Sequence, residues 1–475
     1  MTDVSGVSSG ASISSPTGDK PSINRILVFV IVAFALLMTT VDVTIIATAL
    51  PTLQKELHTT VNWAGWTLTA YSFGFVLMLP ISGKYSERYG HRKVFLISTV
   101  TFTLASLCCG LAGNIYILIV LRVVQAIGGA GITPSVTGII VQHFGDERDR
   151  AVSLFGSIFP IGAMIGPIFG GLFVTYWTWR EIFFVNVPIG LLVIILAIYH
   201  IPHDLTVRKQ EQPSMDFKGI LLLGIGILSG MFATSYLGER NVDIHPAVFI
   251  LLIITAIIAF ISFFRHIIQT THPIIAPRLI YGKGFGAVNL INVALGGVTQ
   301  GVIALVPLYA SRRYDINALD SGTLLVAEGI AAVVFSTLMA MALRRTGYRP
   351  PLYAGGLIII TGTVMLAFPP LGNLSPYMWL ATSTFLIGVG AGTINPSSRN
   401  AGLQLAPEHS SIIASLRSMS LQIGAIITIA IATAIISGFP ANQAQIHAHI
   451  YMVIAPLLIL ALPLISKIPE HHGSW

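Results

Sequence analysis

Charge is what this chain has least of. Asp, Glu, Lys and Arg make up 9% of its 475 residues, against 54% hydrophobic residues and a mean hydropathy of +0.81. Soluble domains carry about 25% charged residues, so this composition excludes one and places the chain in a bilayer. The formal charge of +7 would suit nucleic acid only if the basic residues formed a stripe or arm; they are scattered through short connections, and no nucleic-acid partner is expected. Cysteine is almost absent as well. Cys108 and Cys109 are adjacent inside an apolar stretch, which leaves no disulfide framework and no thiolate metal site. No G-x-x-x-x-G-K-(S/T) phosphate loop occurs, which argues against direct ATP drive. No H-E-x-x-H or G-x-S-x-G motif and no His/Asp cluster lies within an apolar stretch, which argues against a membrane enzyme. His200, His203 and Asp204, with His471 and His472, have no further ligands in sequence reach and read as solvated loops, so neither metal nor cofactor is expected.

What is there is length of apolar chain. A bilayer core needs about 20 mostly apolar residues per helix. Fourteen stretches qualify: 25–50, 63–84, 93–112, 115–142, 151–176, 182–201, 217–237, 246–264, 287–310, 321–343, 352–369, 376–396, 410–437 and 449–467. Residues 1–24, rich in Ser, Gly and Thr with Pro16 and Pro21, read as a disordered tail. No small-residue cleavage site follows a short apolar core, so the first apolar stretch is expected to remain as a span.

Lys and Arg placement orients these spans. With the N-terminus inside, 19 of the 26 basic residues fall in inner segments and 5 in outer loops, leaving Arg122 and Arg417 within spans. The positive-inside tendency therefore assigns both termini to the cytoplasmic face.

Spans 2 and 3 are joined by Gly83-Lys-Tyr-Ser-Glu-Arg-Tyr-Gly-His-Arg-Lys93, where glycines permit a tight reversal and Arg88, Arg92 and Lys93 mark the inner face. A second copy stands at Arg344-Arg-Thr-Gly-Tyr-Arg349: Arg345, Gly347 and Arg349 match Arg88, Gly90 and Arg92, and the acid is missing. Ala49-Leu50-Pro51 at the end of span 1 is echoed by Leu305-Val306-Pro307 near the end of span 9. These echoes divide the chain into two parallel six-span halves, 25–201 and 287–467, separated by a 202–286 linker with two extra helices and followed by a cytoplasmic tail, 468–475.

The Gly83–Lys93 segment resembles the signature loop of the major facilitator superfamily of transporters, with Glu87 where that family more often has Asp. Asp42-Val-Thr-Ile-Ile-Ala-Thr-Ala-Leu-Pro51 is similar to the acidic span-1 motif of its fourteen-span drug:proton antiporters. Arg122-Val-Val-Gln-Ala-Ile-Gly-Gly-Ala130 resembles the span-4 motif, with Ala126 replacing a usual Gly. Gly162-Ala-Met-Ile-Gly-Pro-Ile-Phe-Gly-Gly171 resembles the span-5 antiporter motif, and Trp179-Arg-Glu-Ile-Phe-Phe-Val-Asn-Val-Pro-Ile-Gly190 the approach to span 6. The resemblance covers about residues 25–467. It implies an all-α major facilitator fold, two six-helix bundles plus two inserted helices, working as an antiporter.

Physical readings stand beside the resemblance. Gly162, Gly166 and Gly170 recur every four residues, with Gly171 adjacent, and Pro167 permits a bend, so span 5 is a close-packing, hinged helix. In the family this surface is thought to seal the two halves. Arg122 and Gln125 share a helical face, and a guanidinium in a span needs a carboxylate, a carbonyl or a water-filled cavity. Asp42 is the natural partner, since spans 1 and 4 are neighbours in the family. Glu328 lies well inside span 10 among Leu324, Leu325, Ala331 and Ala332 with no nearby cation. It is either a proton-exchanging or cation-binding acid or one snorkelling from the outer surface. Arg417 is either a substrate contact or an anchor reaching toward lipid phosphates. Asn292, Gln300 and Asn395 either line a cavity or bridge helices. Asp146-Glu-Arg-Asp-Arg150 is either a brace for the Gly83–Lys93 loop or a solvated turn.

The expected function is a secondary active transporter, no enzyme, exporting small amphipathic and in part cationic compounds in exchange for protons across a bacterial inner membrane. Asp42, Arg122 and Glu328 would handle the proton; Gln125, Asn292, Gln300, Glu328, Asn395 and Arg417 would line the substrate cavity. Its partners are the substrate, protons and the lipid bilayer; a monomer is compatible with this, and the oligomeric state stays open. Export of one specific metabolite, peptide or lipid-like solute is the competing expectation.

Overall fold

The computed structural model describes residues 24–59, 61–204, 216–237, 246–439, 442–468 and 470. Apart from Asn24, Ile468 and Glu470, both expected tails lie outside them.

Among the described residues the chain is helical with no strands. The first half comprises α1 (Arg25–Glu56), α2 (Val61–Tyr89), α3 (His91–Gly110), α4 (Ile115–His143), α5 (Arg148–Gly156), α6 (Ile158–Tyr176), the short α7 (Glu181–Phe184) and α8 (Asn186–His200). Two further helices follow, α9 (Phe217–Leu237) and α10 (Pro246–Gln269). The short α11 (Pro277–Tyr281) precedes the second half: α12 (Phe285–Ile291), a π-helical stretch (Asn292–Val298), α13 (Thr299–Tyr314), α14 (Ala318–Thr346), α15 (Arg349–Ala367), α16 (Pro376–Leu405), α17 (Ser410–Gly438) and α18 (Gln443–Ile459). Local sequence sets several starts. Asn24, Asn114, Asn317 and Ser375 each accept a backbone N–H of the turn they open, and Pro376 follows its cap at a position where no amide is needed.

By length and composition, thirteen helical segments among the described residues suffice to cross a membrane. The expected span 217–237 forms α9, but its apolar stretch among those residues, Phe217–Ala233, is shorter. Large apolar side chains such as Ile97, Val120, Ile195, Leu251 and Ile258 face outward, as a hydrocarbon surrounding requires. Inside, serines and threonines bond the carbonyl three or four residues back, which removes their polarity from the packing.

The same packing recurs in both halves. Helix α4 lies between α2 and α3, and α16 between α14 and α15. Pro134 in α4 cannot donate to Ala130 O, and Ser82 Oγ of α2 bonds that carbonyl at 3.2 Å. The two copies of the basic motif are also built alike. The reversal between α2 and α3 is a single residue, Gly90, at φ 100°, and Gly347 before α15 has φ 72°. Asp204, just past α8, accepts the Arg92 N–H at 3.0 Å, while Arg92 Nη2 reaches Ile198 O at 2.6 Å. Glu470 accepts the Tyr348 N–H at 2.8 Å, and Arg349 Nε reaches Ile468 O at 2.8 Å. An acid after the sixth helix of each half thus caps the third. Asp204 is fixed by these bonds, unlike the solvated loop expected of it, whereas His200 and His203 are exposed as expected.

Helix α9 packs against α10, α2 and α17, so it touches both halves. Asp216 holds its start, accepting from Gly219 N at 2.8 Å, His266 Nε2 at 2.6 Å and Ile274 N at 3.1 Å. Lys84 Nζ donates to Pro273 O at 2.7 Å, which ties the inserted pair to the basic segment. The expected brace, 146–150, sends Glu147 to Arg25 at 3.8 Å, and its Asp149 carbonyl accepts from Asn400 in the other half at 3.4 Å.

Candidate functional site

Asp42 on α1 and Arg122 on α4 meet at 2.6 Å with both side chains wholly buried. Gln125, one turn after Arg122, donates from Nε2 to Asp42 Oδ1 at 2.8 Å and to Ser106 Oγ at 2.6 Å, and its Oε1 accepts from Arg122 Nη1 at 2.6 Å. Asn186 on α8 donates to Asp42 Oδ1 at 3.0 Å. Arg122 Nε reaches Thr67 O at 3.4 Å, and its Cζ lies 4.2 Å from the Tyr71 ring centre. The network joins five helices of one half through a single net-neutral cluster. Apolar residues seal it on one side, among them Ile45, Ile46, Trp179 and Phe183. Removing one member of such a buried pair costs about 3–5 kcal/mol, because the other charge stays behind unsolvated. Gln125 was expected to line a substrate cavity. It is instead fully buried with both ends of its amide bound inside this network.

The second cluster lies on the seam between halves, at the end bearing the basic motif. Glu87 Oε1 accepts the Ile412 N–H at 3.2 Å and Oε2 meets His409 Nδ1 at 3.0 Å, so an acid of α2 caps α17. Gly83 faces Ser411 and Ser415 of α17 so closely that a Cβ there would collide with the Ser415 hydroxyl. Ser411 Oγ donates to Pro134 O at 2.8 Å, Asn400 Nδ2 to Ser153 Oγ at 2.8 Å, and Asn395 Nδ2 to Gly156 O at 3.3 Å. The motif was expected as a loop between spans; it is the end of α2, a one-residue hinge and the start of α3, because its helical hydrogen bonding continues on both sides of Gly90. Arg88 stacks on Tyr89 at 5.1 Å, and Lys93 is exposed.

The span-5 glycines pack within their own half. Gly162, Gly166 and Gly170 of α6 lie against Thr40, Thr44 and Thr48 of α1, a four-residue repeat on each side, and Thr44 Oγ1 donates to Gly162 O at 3.3 Å. Contact with the other half falls on a neighbouring face, where Pro160 and Met164 meet Gly329 of α14. A Cβ at Gly171 would meet nothing within 4 Å, and the side chain of Pro167 lies outside the described residues.

Of the remaining candidates, Arg417 Nη2 bonds Asn395 Oδ1 at 2.7 Å, and Asn292, at the start of the π-helical stretch, lines a narrow cleft with Arg399 and Arg417. Such a π-helical segment often marks a functional position. Gln300 stands exposed on α13, apart from that cleft. Glu328 is half-buried on α14, with no hydrogen bond or ion pair among the described residues, and its backbone carbonyl abuts Gly388 of α16. It touches neither Asp42 nor Arg122, so the expected proton-handling set divides between the two halves. Sequence reasoning did not single out Asn186, Ser106, Tyr71, His409 or Ser411, and it counted Arg399 in an inner loop. Helix α16 continues to Leu405 and buries Arg399.

The sequence model of the Major Facilitator Superfamily matches residues 32–218, 221–429 and 288–472. The multidrug resistance protein B homolog of Mycobacterium tuberculosis is 30% identical over 422 residues, 87% of this chain and 76% of that protein. The multidrug transporter protein MdtP of Bacillus subtilis is 28% identical over 375 residues, 78% of this chain and 68% of that protein. Among solved structures, the human organic anion transporter MFSD10 (TETRAN) superposes with a TM-score of 0.68 at 14% identity, over 93% of this chain and 99% of that one. That last likeness is one of fold alone.

Proposed function

The chain belongs to the major facilitator superfamily and is a multi-pass membrane transporter, not an enzyme, and from that premise we propose that it exports small amphipathic compounds in exchange for protons by alternating access. The observation that carries the reading is the Asp42 cluster: one carboxylate, wholly buried, matched to one guanidinium and two amides on several helices of the same half. Buried charge in a span is retained for function by default. A proton on Asp42 changes the charge balance inside the half and biases how its helices pack, which is how a proton gradient acts on a conformational equilibrium.

The halves rock about the space between them. The Glu87, Ser411, Asn395 and Asn400 bonds join the halves on the basic side, the cytoplasmic one in this reading, so that side is closed in the conformation described. Both termini lie in the cytoplasm, residues 25–201 and 287–467 are the moving halves, and α9 and α10 complete fourteen spans in a bacterial inner membrane. Multidrug resistance relatives at about this level of identity support the choice of amphipathic drugs as cargo.

The test is transport in proteoliposomes with an imposed pH gradient, using a compound panel. Gradient-driven efflux that disappears in Asp42→Asn, with substrate binding retained, is the expected result; full gradient-driven efflux in Asp42→Asn moves the proton site elsewhere.

A further inference from the structure

Arg399 and Arg417 approach each other without a counter-charge. Arg399 is only 6% exposed, with its Cζ 4.7 Å from the Phe155 ring centre and 5.7 Å from that of Phe159 across the seam. Arg417 lines the same two narrow clefts. Among the described residues, neither comes within 4.0 Å of a carboxylate. Three buried donors in this wall have no hydrogen-bond partner: Arg399 Nε, Arg417 Nε and Asn292 Nδ2. Contrast this with Arg122, whose charge is matched by Asp42 at 2.6 Å.

A buried guanidinium cannot shed its proton, and leaving it unpaired is costly. Donors converging with no carboxylate to answer them, the Asn395 Oδ1 amide oxygen taking only Arg417 Nη2, make a site for an anion. We propose that Arg399, Arg417 and Asn292 bind the carboxylate, phosphate or sulfonate group of an amphipathic anion. Phe155 and Phe159 supply the apolar surface beside it. The Asn400 to Ser153 bond joins the halves one residue nearer the basic end than Arg399. The anion therefore enters when that end opens. As the loading site for cargo this rests on the export reading, but anion binding itself does not depend on it.

The experiment is equilibrium binding to the full chain in phosphatidylcholine nanodiscs, at fixed ionic strength, of 2-naphthoate, 2-naphthamide and 2-naphthylmethylammonium. The wild type is expected to bind the naphthoate about tenfold or more tighter than the amide, as charge-assisted hydrogen bonds give. Arg399→Gln and Arg417→Gln should each lose that preference while holding the ammonium compound within about twofold. Should Arg399→Gln fail to fold, Asn292→Leu and Arg417→Lys carry the same expectation through loss of one donor or of the planar fork. Displacement of naphthoate by phosphatidylglycerol added to the discs assigns the site to a lipid headgroup; indifference to it assigns a soluble anion. Equal affinity of the wild type for naphthoate and naphthamide, or an equal loss for all three compounds in folded variants, overturns the proposal. Gradient-driven transport, measured separately, reports on export without bearing on this result.

Discussion

Glu87 accepts the backbone N–H of Ile412 at 3.2 Å, so an acid on the last turn of α2 caps the first turn of α17 in the opposite half. Such a bond exists only while the seam is closed. A charge-assisted hydrogen bond contributes about 1.5–3 kcal/mol, enough to shift a two-state equilibrium about tenfold to a hundredfold. Glu87→Ala should therefore lower turnover by about that order while leaving substrate affinity nearly unchanged. Rates and binding constants measured side by side check it; an unaltered rate would reduce the contact to a topological anchor.

Asp42→Asn keeps the shape of the buried cluster but leaves the Arg122 guanidinium, which cannot shed its proton, without a counter-charge, and Arg122→Ala leaves the Asp42 carboxyl without its partner. Each single variant should destabilise by about 3–5 kcal/mol. Thermal unfolding in detergent checks this. Replacing both partners together should cost less than Arg122→Ala by itself, since no orphan charge remains; a double variant as unstable as the sum of its parts contradicts this account.

Asp42 and Arg122 could be paired at the sequence level because a charge in a span demands an answer and the family resemblance makes spans 1 and 4 neighbours. Asn186 and Ser106 could not, because an amide or hydroxyl in an apolar helix carries no mark of which neighbour it faces. The four-residue glycine period announced a smooth face, but the matching Thr40, Thr44 and Thr48 period was visible only once α1 lay against it. Arg399 was hidden for another reason. The apolar stretch was bounded at residue 396, yet α16 continues past Pro396 for nine residues, as membrane helices tolerate. The absent acid in the second basic motif was a true difference at the position of Glu87, while the other acid shared by the halves, Asp204 and Glu470, stands over a hundred residues away in each copy.

Gly166→Ala places a Cβ against the Thr44 side chain and 3.1 Å from Ile45 N, so α1 and α6 must separate. Overpacking of this kind costs about 1–3 kcal/mol. Gly171→Ala meets nothing within 4 Å and should be neutral. Unfolding temperatures of the two variants compare the sites directly, and Thr44→Ala in the Gly166→Ala background should recover part of the loss. Equal temperatures for Gly166→Ala and Gly171→Ala would mean that the stripe does not set the helix spacing.

Burial pushes the Asp216 carboxyl up, but the bonds from His266, Gly219 N and Ile274 N outweigh it and hold its pKa below the ordinary 3.8. A carboxyl depressed in the folded protein contributes stability that is complete above 3.8 and is lost as pH falls through its folded value. Acid below that point should therefore loosen the 270–276 segment from the start of α9. Amide exchange at Ile274 should accelerate there in the wild type and be fast and nearly pH-independent, after correction for intrinsic exchange, in Asp216→Ala. A protected Ile274 amide in Asp216→Ala assigns its order to another contact.

Glu328 has no hydrogen bond or ion pair among the described residues and remains partly accessible on α14, at the level where α16 packs through Gly388. Arg399 stands eleven residues further along α16, roughly 16 Å along the axis at 1.5 Å per residue. The acid and the arginines thus occupy different depths and cannot neutralise one another. An accessible, unpartnered carboxylate beside apolar helix surface attracts cations, so Glu328→Gln should selectively weaken export of a cationic compound while sparing a neutral one of the same shape. Transport of 2-naphthylmethylammonium and 2-naphthamide by wild type and Glu328→Gln, at matched protein levels, measures this. An equal loss for both compounds would make Glu328 a proton-handling group instead, and no loss for either would place its carboxylate at the outer surface, away from the cargo.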